Sequence, residues 1–340
     1  MPDSYLHAGR YRTGKGGDIS VSDAGEFGLI ARIVARLSGS SALLGPGDDA
    51  AVVAARDGRV VASTDLLVEG THFRRDWSSA YDVGRKAAAQ NLADIAAMGA
   101  SPTALLVGLA APPDLDLAWV DGLADGLRDE CSVVGAEVVG GDVSRSSLLT
   151  IAVTALGDLA GRQPVTRGGA RPGDVVVVAG RLGHAAAGLA LLEVGRGDAE
   201  LAAAHRRPQV PYAAALRLAE AGATAMIDVS DGLVADLGHI AAASGVGIQL
   251  ASDDLPLPPE LVEAGLEVGV DPLSWVAGGG DDHAFAATMS DDAVLRALTR
   301  VTDLPEPVPF TQIGRVVEGR GVVFVDRAPS GPTGHDHFAP

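Results

Sequence analysis

Hydrophobic and polar positions repeat along this chain with two periods, one typical of helices and one typical of strands. Apolar residues at helical spacing predict helices over residues 26–37, 79–98, 117–133, 184–193 and about 231–243. Short apolar runs between turn residues predict strands over residues 50–53, 60–63, 105–109, 148–156, 175–179, 225–229 and 322–325. Because helices and strands mix in both halves of the chain, the pattern predicts an α/β fold with α+β character.

The length of the chain predicts two domains. A chain of 340 residues exceeds what one ordinary hydrophobic core holds. Residues 167–174 carry two adjacent glycines and a Pro-Gly pair, and this composition is typical of a junction. The first residues are polar and lack the apolar segment of a secretory signal. We therefore predict a flexible tail over residues 1–22, a first domain over 23–160 and a second domain over 161–340.

Composition excludes several classes of protein. The net charge is −18, with 44 acidic residues against 26 basic ones, which opposes binding to nucleic acid. The sequence has no apolar run of about 18 residues, so we expect no membrane partner. Cys131 is the single cysteine, so an intrachain disulfide is excluded. These features indicate an acidic globular protein of the cytoplasm.

The acidic residues recur beside glycines at the ends of predicted strands. They lie in the segments Gly47-Asp48-Asp49, Ser63-Thr64-Asp65, Gly141-Asp142, Asp228-Val229-Ser230-Asp231-Gly232 and Gly280-Asp281-Asp282. Each segment alone has an ordinary explanation, because aspartate next to glycine is common in turns and at helix caps. Together they also match what Mg²⁺ requires, since this ion is usually held by carboxylates and substrate phosphates.

Asp94 is less easily explained as a turn residue. It lies inside the predicted helix of residues 79–98, about one turn before its end, where the helix dipole disfavours a carboxylate. A surface carboxylate is one interpretation, and a nearby cation is the other. Phosphoryl transfer needs its negative charge neutralised, so a set of aspartates at strand ends is compatible with a metal-dependent kinase.

The ordered set of motifs resembles the thiamine-monophosphate kinase family over about residues 23–340. The matching segments are Gly25-Glu26-Phe27, Gly47-Asp48-Asp49-Ala50, Ser63-Thr64-Asp65, Glu69-Gly70-Thr71-His72-Phe73, Asn91-Leu92-Ala93-Asp94, Gly140-Gly141-Asp142, Ile227-Asp228-Val229-Ser230-Asp231-Gly232, Gly278-Gly279-Gly280-Asp281-Asp282 and Asp336-His337-Phe338. The resemblance implies transfer of the γ-phosphate of ATP to thiamine monophosphate, directly and in line, without a phosphoenzyme. It also implies several Mg²⁺ ions, a first domain with a mixed, barrel-forming sheet, and a homodimer paired through that domain.

The resemblance assigns roles to individual residues. As metal ligands it implies Asp49, Ser63, Thr64, Asp65, Asp94, Asp142, Asp228 and Asp231. As ATP contacts it implies Gly141, Asp142, Arg145 and Ser230. As contacts of the phosphate acceptor it implies His72, Asp281 and His335, the last in a C-terminal segment. Asp281 replaces the Glu of many family members, His335 replaces a Tyr or Trp, and His283 replaces a Tyr.

Two alternatives stay open at this point. The first is a sister enzyme of the same superfamily with another acceptor. Selenophosphate synthetase carries a Cys or selenocysteine in a glycine-rich N-terminal segment, whereas Cys131 lies in a predicted helix. The second is a non-catalytic protein that binds metal or nucleotide. That protein would bind ATP without transferring phosphate.

Overall fold

The computed structural model describes residues 20–37, 42–43, 50–330 and 334–335. Asp49, residues 1–19 of the predicted tail and the Asp336-His337-Phe338 motif lie outside these residues. The chain divides into two compact units. The first holds the described residues up to Asn91 together with Pro102–Asp158, and the second holds Leu92–Ser101 together with the described residues from Leu159 onward.

The described residues of the first unit form one sheet and three helices. Its elements are α1 (Val21–Leu37), β1 (Val61–Val68), the first part of α2 (Ala80–Ala97), β2 (Ser101–Ala111), α3 (Leu117–Val134), β3 (Glu137–Arg145) and β4 (Thr150–Asp158). The strand order is β1-β4-β2-β3, so β1 and β3 form the two edges. β1 pairs antiparallel with β4, and β2 pairs parallel with β3.

Helix contacts in the first unit depend on local sequence signals. Asp116 caps α3 by accepting a hydrogen bond from the backbone nitrogen of Ala118 at 2.9 Å, and Gly135 ends the helix with φ 72°. Helices α2 and α3 approach closely where Gly84 faces Gly126. A Cβ at Gly84 would lie 2.2 Å from the carbonyl oxygen of Leu123. Glycine is therefore required for this helix crossing.

One face of the first sheet stays largely open along its β1 edge. Strand residues alternate between the two faces of a sheet. On β1 the exposed positions are Ala62, Thr64 and Leu66, and Leu66 is 56% exposed. Ser63 and Asp65 belong to the alternate, partly buried set. The exposed positions are mostly apolar, although they face solvent.

The second unit is an α/β domain around a six-stranded sheet. Its strands are β5 (Val175–Ala179), β6 (Ala225–Asp228), β7 (Gly247–Leu250), β8 (Phe285–Met289), β9 (Phe310–Val317) and β10 (Gly321–Phe324). Its further helices are α4 (His184–Glu193), α5 (Glu200–Arg206), α6 (Tyr212–Ala221), α7 (Leu233–Ser244), α8 (Pro259–Val268), α9 (Pro272–Gly278) and α10 (Asp291–Thr302). The strand order is β10-β7-β9-β5-β8-β6.

Strand β5 lies in the middle of this sheet and is buried along its whole length. Val176 and Val178 belong to the core cluster that also contains the buried apolar residues of α7 and α9. Helices α6 and α10 pack on each other, and they also contact β8 and β5. A strand covered on both faces reads as a continuous apolar run, which explains why residues 175–179 were predictable from the sequence.

The unit boundaries differ from the sequence prediction at two places. Helix α1 begins at Val21, inside the segment assigned to the tail. Leu92–Ser101 belongs to the second unit, because the loop after α2 is bound there: the backbone nitrogen of Val165 donates to the carbonyl oxygen of Met98 at 3.1 Å.

The strand predicted over residues 50–53 is not observed, since these residues form only a single bridge at Val52. Among the described helices, none combines the length and apolarity that crossing a lipid bilayer requires.

Candidate active site

The topology of the second sheet brings three loops to one edge. Strand β6 ends at Asp228, which pairs with Phe285, the first residue of the antiparallel strand β8. Phe285 also pairs with Ala179, the last residue of β5. The loops that follow β6, precede β8 and follow β5 must therefore meet. We name residues 228–232 the first acidic loop and residues 279–284 the second acidic loop.

The two acidic loops bind each other through their backbones. The nitrogen of Asp281 donates to the carbonyl oxygen of Ser230 at 2.9 Å, and the nitrogen of His283 donates to that of Val229 at 2.9 Å. A Cβ at Gly280 would lie 2.2 Å from the carbonyl oxygen of Ser230. Glycine is thus needed for the approach, and the sequence pattern of acids beside glycines follows from this contact.

His335 joins the same place. Its backbone nitrogen donates to the carbonyl oxygen of Asp231 at 2.8 Å, and a Cβ at Gly334 would lie 2.4 Å from the Cβ of Ala235. The structure therefore brings together five residues that were assigned to different ligands from the sequence. They are Asp228, Ser230, Asp231, Asp281 and His335.

The second acidic loop has an unusual backbone. Asp281 has φ 66° and His283 has φ 49°, both in the left-handed region that residues other than glycine rarely adopt. Conformations of this kind cost about 1–3 kcal/mol each, and they persist where surrounding contacts determine the backbone. The backbone hydrogen bonds to Val229 and Ser230 supply such contacts here.

His283 contacts a predicted metal ligand directly. Its Nδ1 lies 3.0 Å from Oδ2 of Asp228, and both side chains are buried. An ionised carboxylate only accepts hydrogen bonds, so Nδ1 is the donor of this pair whenever Asp228 is ionised. Sequence reasoning noted His283 as a replacement but gave it no role. The signal was its position two residues after Asp281.

Asp282 joins the second acidic loop to helix α4. Its carboxylate accepts hydrogen bonds from the backbone nitrogens of Gly183 and, at 2.8 Å, Ala185, so it caps a helix from a distant part of the chain. Burial raises its pKa to about 7, against the effect of these two hydrogen bonds. The neighbouring Asp281 carboxylate adds to the increase.

We predict that this carboxyl makes stability fall as pH rises from about 4 to about 7. The folded state keeps a proton on Asp282 in this window, whereas the unfolded state releases it near 3.8, so raising the pH favours unfolding. Urea unfolding without Mg²⁺ or nucleotide should show a smaller loss of unfolding free energy in Asp282→Asn than in the wild type. Equal losses over this window would contradict the assignment.

Asp236 lies beneath the first acidic loop and is 2% exposed. Its Oδ2 accepts hydrogen bonds from the backbone nitrogens of Ser230, Asp231 and Gly232, each at 3.1 Å. Burial raises the pKa of Asp236 to about 7, and the carboxylates of Asp228 and Asp231 contribute to the increase. Sequence reasoning missed Asp236, because a single acid within a helix is ordinarily a solvated residue.

The donor set of the second unit suits a hard cation. Ligand atoms of Asp231, Asp236 and His239 all lie within 4.8 Å of one another. Burial is the main cause of the raised pKa of Asp236, and the nearby carboxylates of Asp228 and Asp231 add repulsion to it. A divalent cation would relieve this repulsion, and Mg²⁺ prefers carboxylate oxygens. The carboxylates of Asp228 and Asp231 therefore fit Mg²⁺, whereas Oδ2 of Asp236 is occupied by three backbone N–H groups.

In the first unit, Asp65 lies on the edge strand β1. Its backbone nitrogen donates to Oδ1 of Asn91 at 3.1 Å, and Nδ2 of this fully buried asparagine donates to the carbonyl oxygen of Ala87. Helix α2 thus fixes the position of Asp65. Thr64 points to the other face, where its hydroxyl donates to the carbonyl oxygen of Val153 at 3.0 Å. Ser63 and Asp65 share a face, whereas Thr64 does not.

Asp142 lies on β3, at the opposite edge of the same sheet. Strands β4 and β2 separate it from Asp65, a distance of about 14 Å at ordinary strand spacing. A Cβ at Gly141 would lie 1.9 Å from the carbonyl oxygen of Val107, so a larger residue is excluded there. Arg145, the last residue of β3, is exposed. One copy of this sheet does not bring Asp65 and Asp142 together.

His72 lies in the tight turn after β1. Its Nδ1 accepts a hydrogen bond from the backbone nitrogen of Val68 at 3.0 Å, so the neutral ring carries its proton on Nε2. Gly70, with φ 87°, allows the turn. Asp94 lies near the end of α2 among buried neighbours and is itself partly buried. Its assignment as a metal ligand stays a prediction.

Comparison with known proteins agrees with this fold. The family model described as AIR synthase related protein, N-terminal domain, matches residues 47–159, and the corresponding C-terminal domain matches residues 171–327. The thiamine-monophosphate kinase of Mycobacterium tuberculosis is 48% identical over 310 residues, covering 90% of this chain and 89% of the relative. That of Corynebacterium glutamicum is 40% identical and covers 91% of each chain.

Solved structures give the same result. The crystal structure of thiamine-monophosphate kinase from Stenotrophomonas maltophilia K279a has a TM-score of 0.76 at 36% identity, covering 90% of this chain and 96% of that one. A structure described as AaThiL complexed with AMPPCP and TMP has a TM-score of 0.74 at 35% identity, covering 93% and 98%.

The fold and the acidic site define a two-domain protein of the AIR synthase related class. Within this class, several thiamine-monophosphate kinases are more than 30% identical to this chain over about nine-tenths of their own length. The chain belongs to the thiamine-monophosphate kinase family of enzymes. The fold class and the family expected from the motifs are thereby confirmed.

Proposed function

We propose that this enzyme transfers the γ-phosphate of ATP to thiamine monophosphate and forms thiamine diphosphate. Relatives named for this activity cover nine-tenths of the chain, and one similar structure holds AMPPCP and TMP. The observation that carries the proposal is the convergence of the two acidic loops. It places Asp228, Ser230, Asp231 and Asp281 at one edge of a sheet, and ligands commonly bind outside such strand ends.

The proposed roles follow the chemistry of each group. Asp49, Ser63, Thr64, Asp65, Asp94, Asp142, Asp228 and Asp231 would hold Mg²⁺ ions, which neutralise the phosphate charge when bound. Gly141, Asp142, Arg145 and Ser230 would contact ATP. The guanidinium of Arg145 suits phosphate because its planar fork offers parallel donors. His72, Asp281 and His335 would contact the acceptor.

Direct transfer between the two substrates needs no covalent intermediate. Cys131 is buried in α3, and burial raises its pKa to about 12. A thiol of that kind stays protonated and makes a poor nucleophile. Cys131 is therefore not a candidate phosphate carrier, and in the proposed in-line reaction positioning and charge neutralisation supply the rate increase. ATP and thiamine monophosphate as substrates, together with a net charge of −18, also support a cytoplasmic enzyme without a nucleic-acid or membrane partner.

We propose that the enzyme acts as a homodimer whose sites are shared. Asp65 and Asp142 lie on the two edges of one sheet. If β1 of one copy pairs with β3 of a second, two-fold symmetry repeats this pairing and closes the two sheets into a barrel. The exposed apolar positions of β1, including Leu66, would then face the barrel interior. Asp65 of one copy and Asp142 of the other would then lie on neighbouring strands.

A mixed dimer tests this arrangement. We predict that purified heterodimers of one Asp65→Asn chain and one Asp142→Asn chain recover about half of the wild-type activity, since one of two sites keeps both carboxylates. Each variant homodimer should be nearly inactive. Differently tagged chains, refolded together and isolated by tandem affinity, provide the sample. Inactive heterodimers would show that each site takes both residues from one chain.

The reaction itself is tested with purified enzyme, ATP, Mg²⁺ and thiamine monophosphate. ADP and thiamine diphosphate should form in equal amounts, as measured by chromatography. Transfer to another small acceptor, with none to thiamine monophosphate, would identify a sister enzyme of the superfamily. Binding of ATP without any transfer would favour a non-catalytic protein.

A further inference from the structure

The first acidic loop is held by a side chain that lies outside it. Asp236 is in the first turn of α7, and side chains in a helix tilt toward its N-terminus. The carboxylate of Asp236 therefore reaches back over the residues that precede the helix. There its Oδ2 accepts the three consecutive backbone N–H groups of residues 230–232.

The turn that precedes α7 needs a hydrogen-bond acceptor from outside its own residues. Gly232 is the N-cap and offers no side-chain hydrogen bond. Gly232 also has φ 129°, a conformation that residues with a Cβ rarely adopt. A chain turning this sharply exposes its N–H groups, and buried N–H groups require acceptors. The single oxygen of Asp236 satisfies three of them.

The same contacts determine where the functional groups of the loop lie. Ser230 and Asp231 have their backbone nitrogens fixed from beneath by Asp236. Their carbonyl oxygens are occupied by the backbone nitrogens of Asp281 and His335. With both backbone groups bound, each residue has little freedom, and its side chain is displayed from a rigid turn.

We propose that Asp236 is a positioning residue. Its Oδ2 accepts the backbone N–H groups of residues 230–232 and so holds the first acidic loop in one conformation before any ligand binds. In that conformation the loop presents Ser230 and Asp231 to Mg²⁺ and ATP. This inference rests on the proposed function, since it assigns those two residues to ATP and Mg²⁺. It requires an acceptor oxygen at position 236 rather than a negative charge. Asparagine keeps one such oxygen, whereas leucine keeps four side-chain heavy atoms with the same branching and has no acceptor.

Two substitutions separate the oxygen from the charge. Asp236→Leu should weaken binding of Mn²⁺ alone, followed by electron paramagnetic resonance, by about tenfold or more, as is typical when the support of a ligand is removed. KM for Mg²⁺–ATP should rise, while KM for thiamine monophosphate changes little. Asp236→Asn should restore both quantities to within about threefold of the wild type. Wild-type binding by a folded Asp236→Leu enzyme would overturn the proposal.

Equal defects in both variants would also overturn it, because Asp236 would then act through its charge as a ligand. Hydrogen exchange in the wild-type enzyme keeps the question open to test if Asp236→Leu does not fold. The amides of residues 230–232 should exchange slowly before any nucleotide is added and gain little protection with Mg²⁺ and AMPPCP. Rapid exchange that only nucleotide suppresses would contradict a pre-formed loop.

The binding readouts do not depend on the phosphate acceptor. Failure of the proposed reaction would appear as absent thiamine diphosphate in the wild type, with Mn²⁺ binding still following the acceptor oxygen at position 236. If the positioning role is wrong, the wild-type enzyme would be active and Asp236→Leu would bind Mn²⁺ as tightly as the wild type does. The two failures are therefore distinguishable.

Discussion

Replacing Asp65 with Asn reduces kcat by about 10³-fold and leaves a folded protein, according to the proposed role of this carboxylate. Amide oxygen is a weaker ligand for Mg²⁺ than carboxylate, so charge on the transferred phosphate would be less neutralised. The fold should survive, because Asn91 binds the backbone nitrogen of Asp65 and not its side chain. Steady-state kinetics and circular dichroism measure the two effects.

A matched control is available in the same unit. Asp76 is exposed and pairs at 2.5 Å with Arg74, and surface pairs of this kind contribute little to stability. Asp76→Asn should retain kcat within about twofold. Asp94→Asn should resemble Asp65→Asn if both residues hold metal. Full activity in the Asp65 variant would remove this residue from the site.

Gly280→Ala should lower kcat/KM by about 10²-fold. The added Cβ would lie 2.2 Å from the carbonyl oxygen of Ser230, so the two acidic loops must separate by about 1 Å, a displacement that can cost this much activity. The loss should appear for both ATP and thiamine monophosphate, because Ser230 and Asp281 lie on opposite sides of this contact. Initial rates with either substrate varied separate the two contributions.

Gly238→Ala is the control for the added methyl group. Gly238 lies within α7, and a Cβ there would meet nothing within 4 Å. This variant should keep its activity and gain up to about 1 kcal/mol of stability, since alanine favours a helix interior over glycine. Unchanged kcat/KM in Gly280→Ala would show that close packing of the acidic loops does not position the catalytic groups.

The sequence predicted the bounds of helices and strands well where an unbroken apolar segment lies between turn residues. Strand 175–179 and helix 184–193 have the bounds observed for β5 and α4. Both are continuous apolar segments between turn residues, so local sequence determines them. The short run at residues 50–53 looked similar but forms no strand, because pairing partners rather than local preference decide short strands.

The sequence predicted the acidic residues of the candidate site but not the residues that hold its loops in place. Aspartates beside glycines were visible because the glycine is required by loop contacts, as at Gly280. The roles of Asp236 and Asp282 were not visible. Asp236 binds the backbone nitrogen of Asp231, which is five residues away in the sequence. Asp282 binds the backbone nitrogen of Ala185, which is nearly a hundred residues away. A sequence pattern does not contain that distance information.

Separation of Asp65 and Asp142 has a similar origin. Both were expected near one set of cations, yet strand order places them at opposite edges of a sheet. Strand order depends on how non-adjacent segments pair, and no local signal specifies it. In the proposed homodimer each site takes Asp65 from one copy and Asp142 from the other, and this arrangement reconciles the expectation with the topology.

The most direct measurement is a crystal structure of the enzyme with Mg²⁺, AMPPCP and thiamine monophosphate. We predict cations bound between the phosphates and the carboxylates of Asp228 and Asp231, and a cation held by Asp65 together with Asp142 of a second copy. The γ-phosphate should point at the phosphate of the acceptor. Nucleotide bound elsewhere, with these carboxylates facing open solvent, would contradict the account.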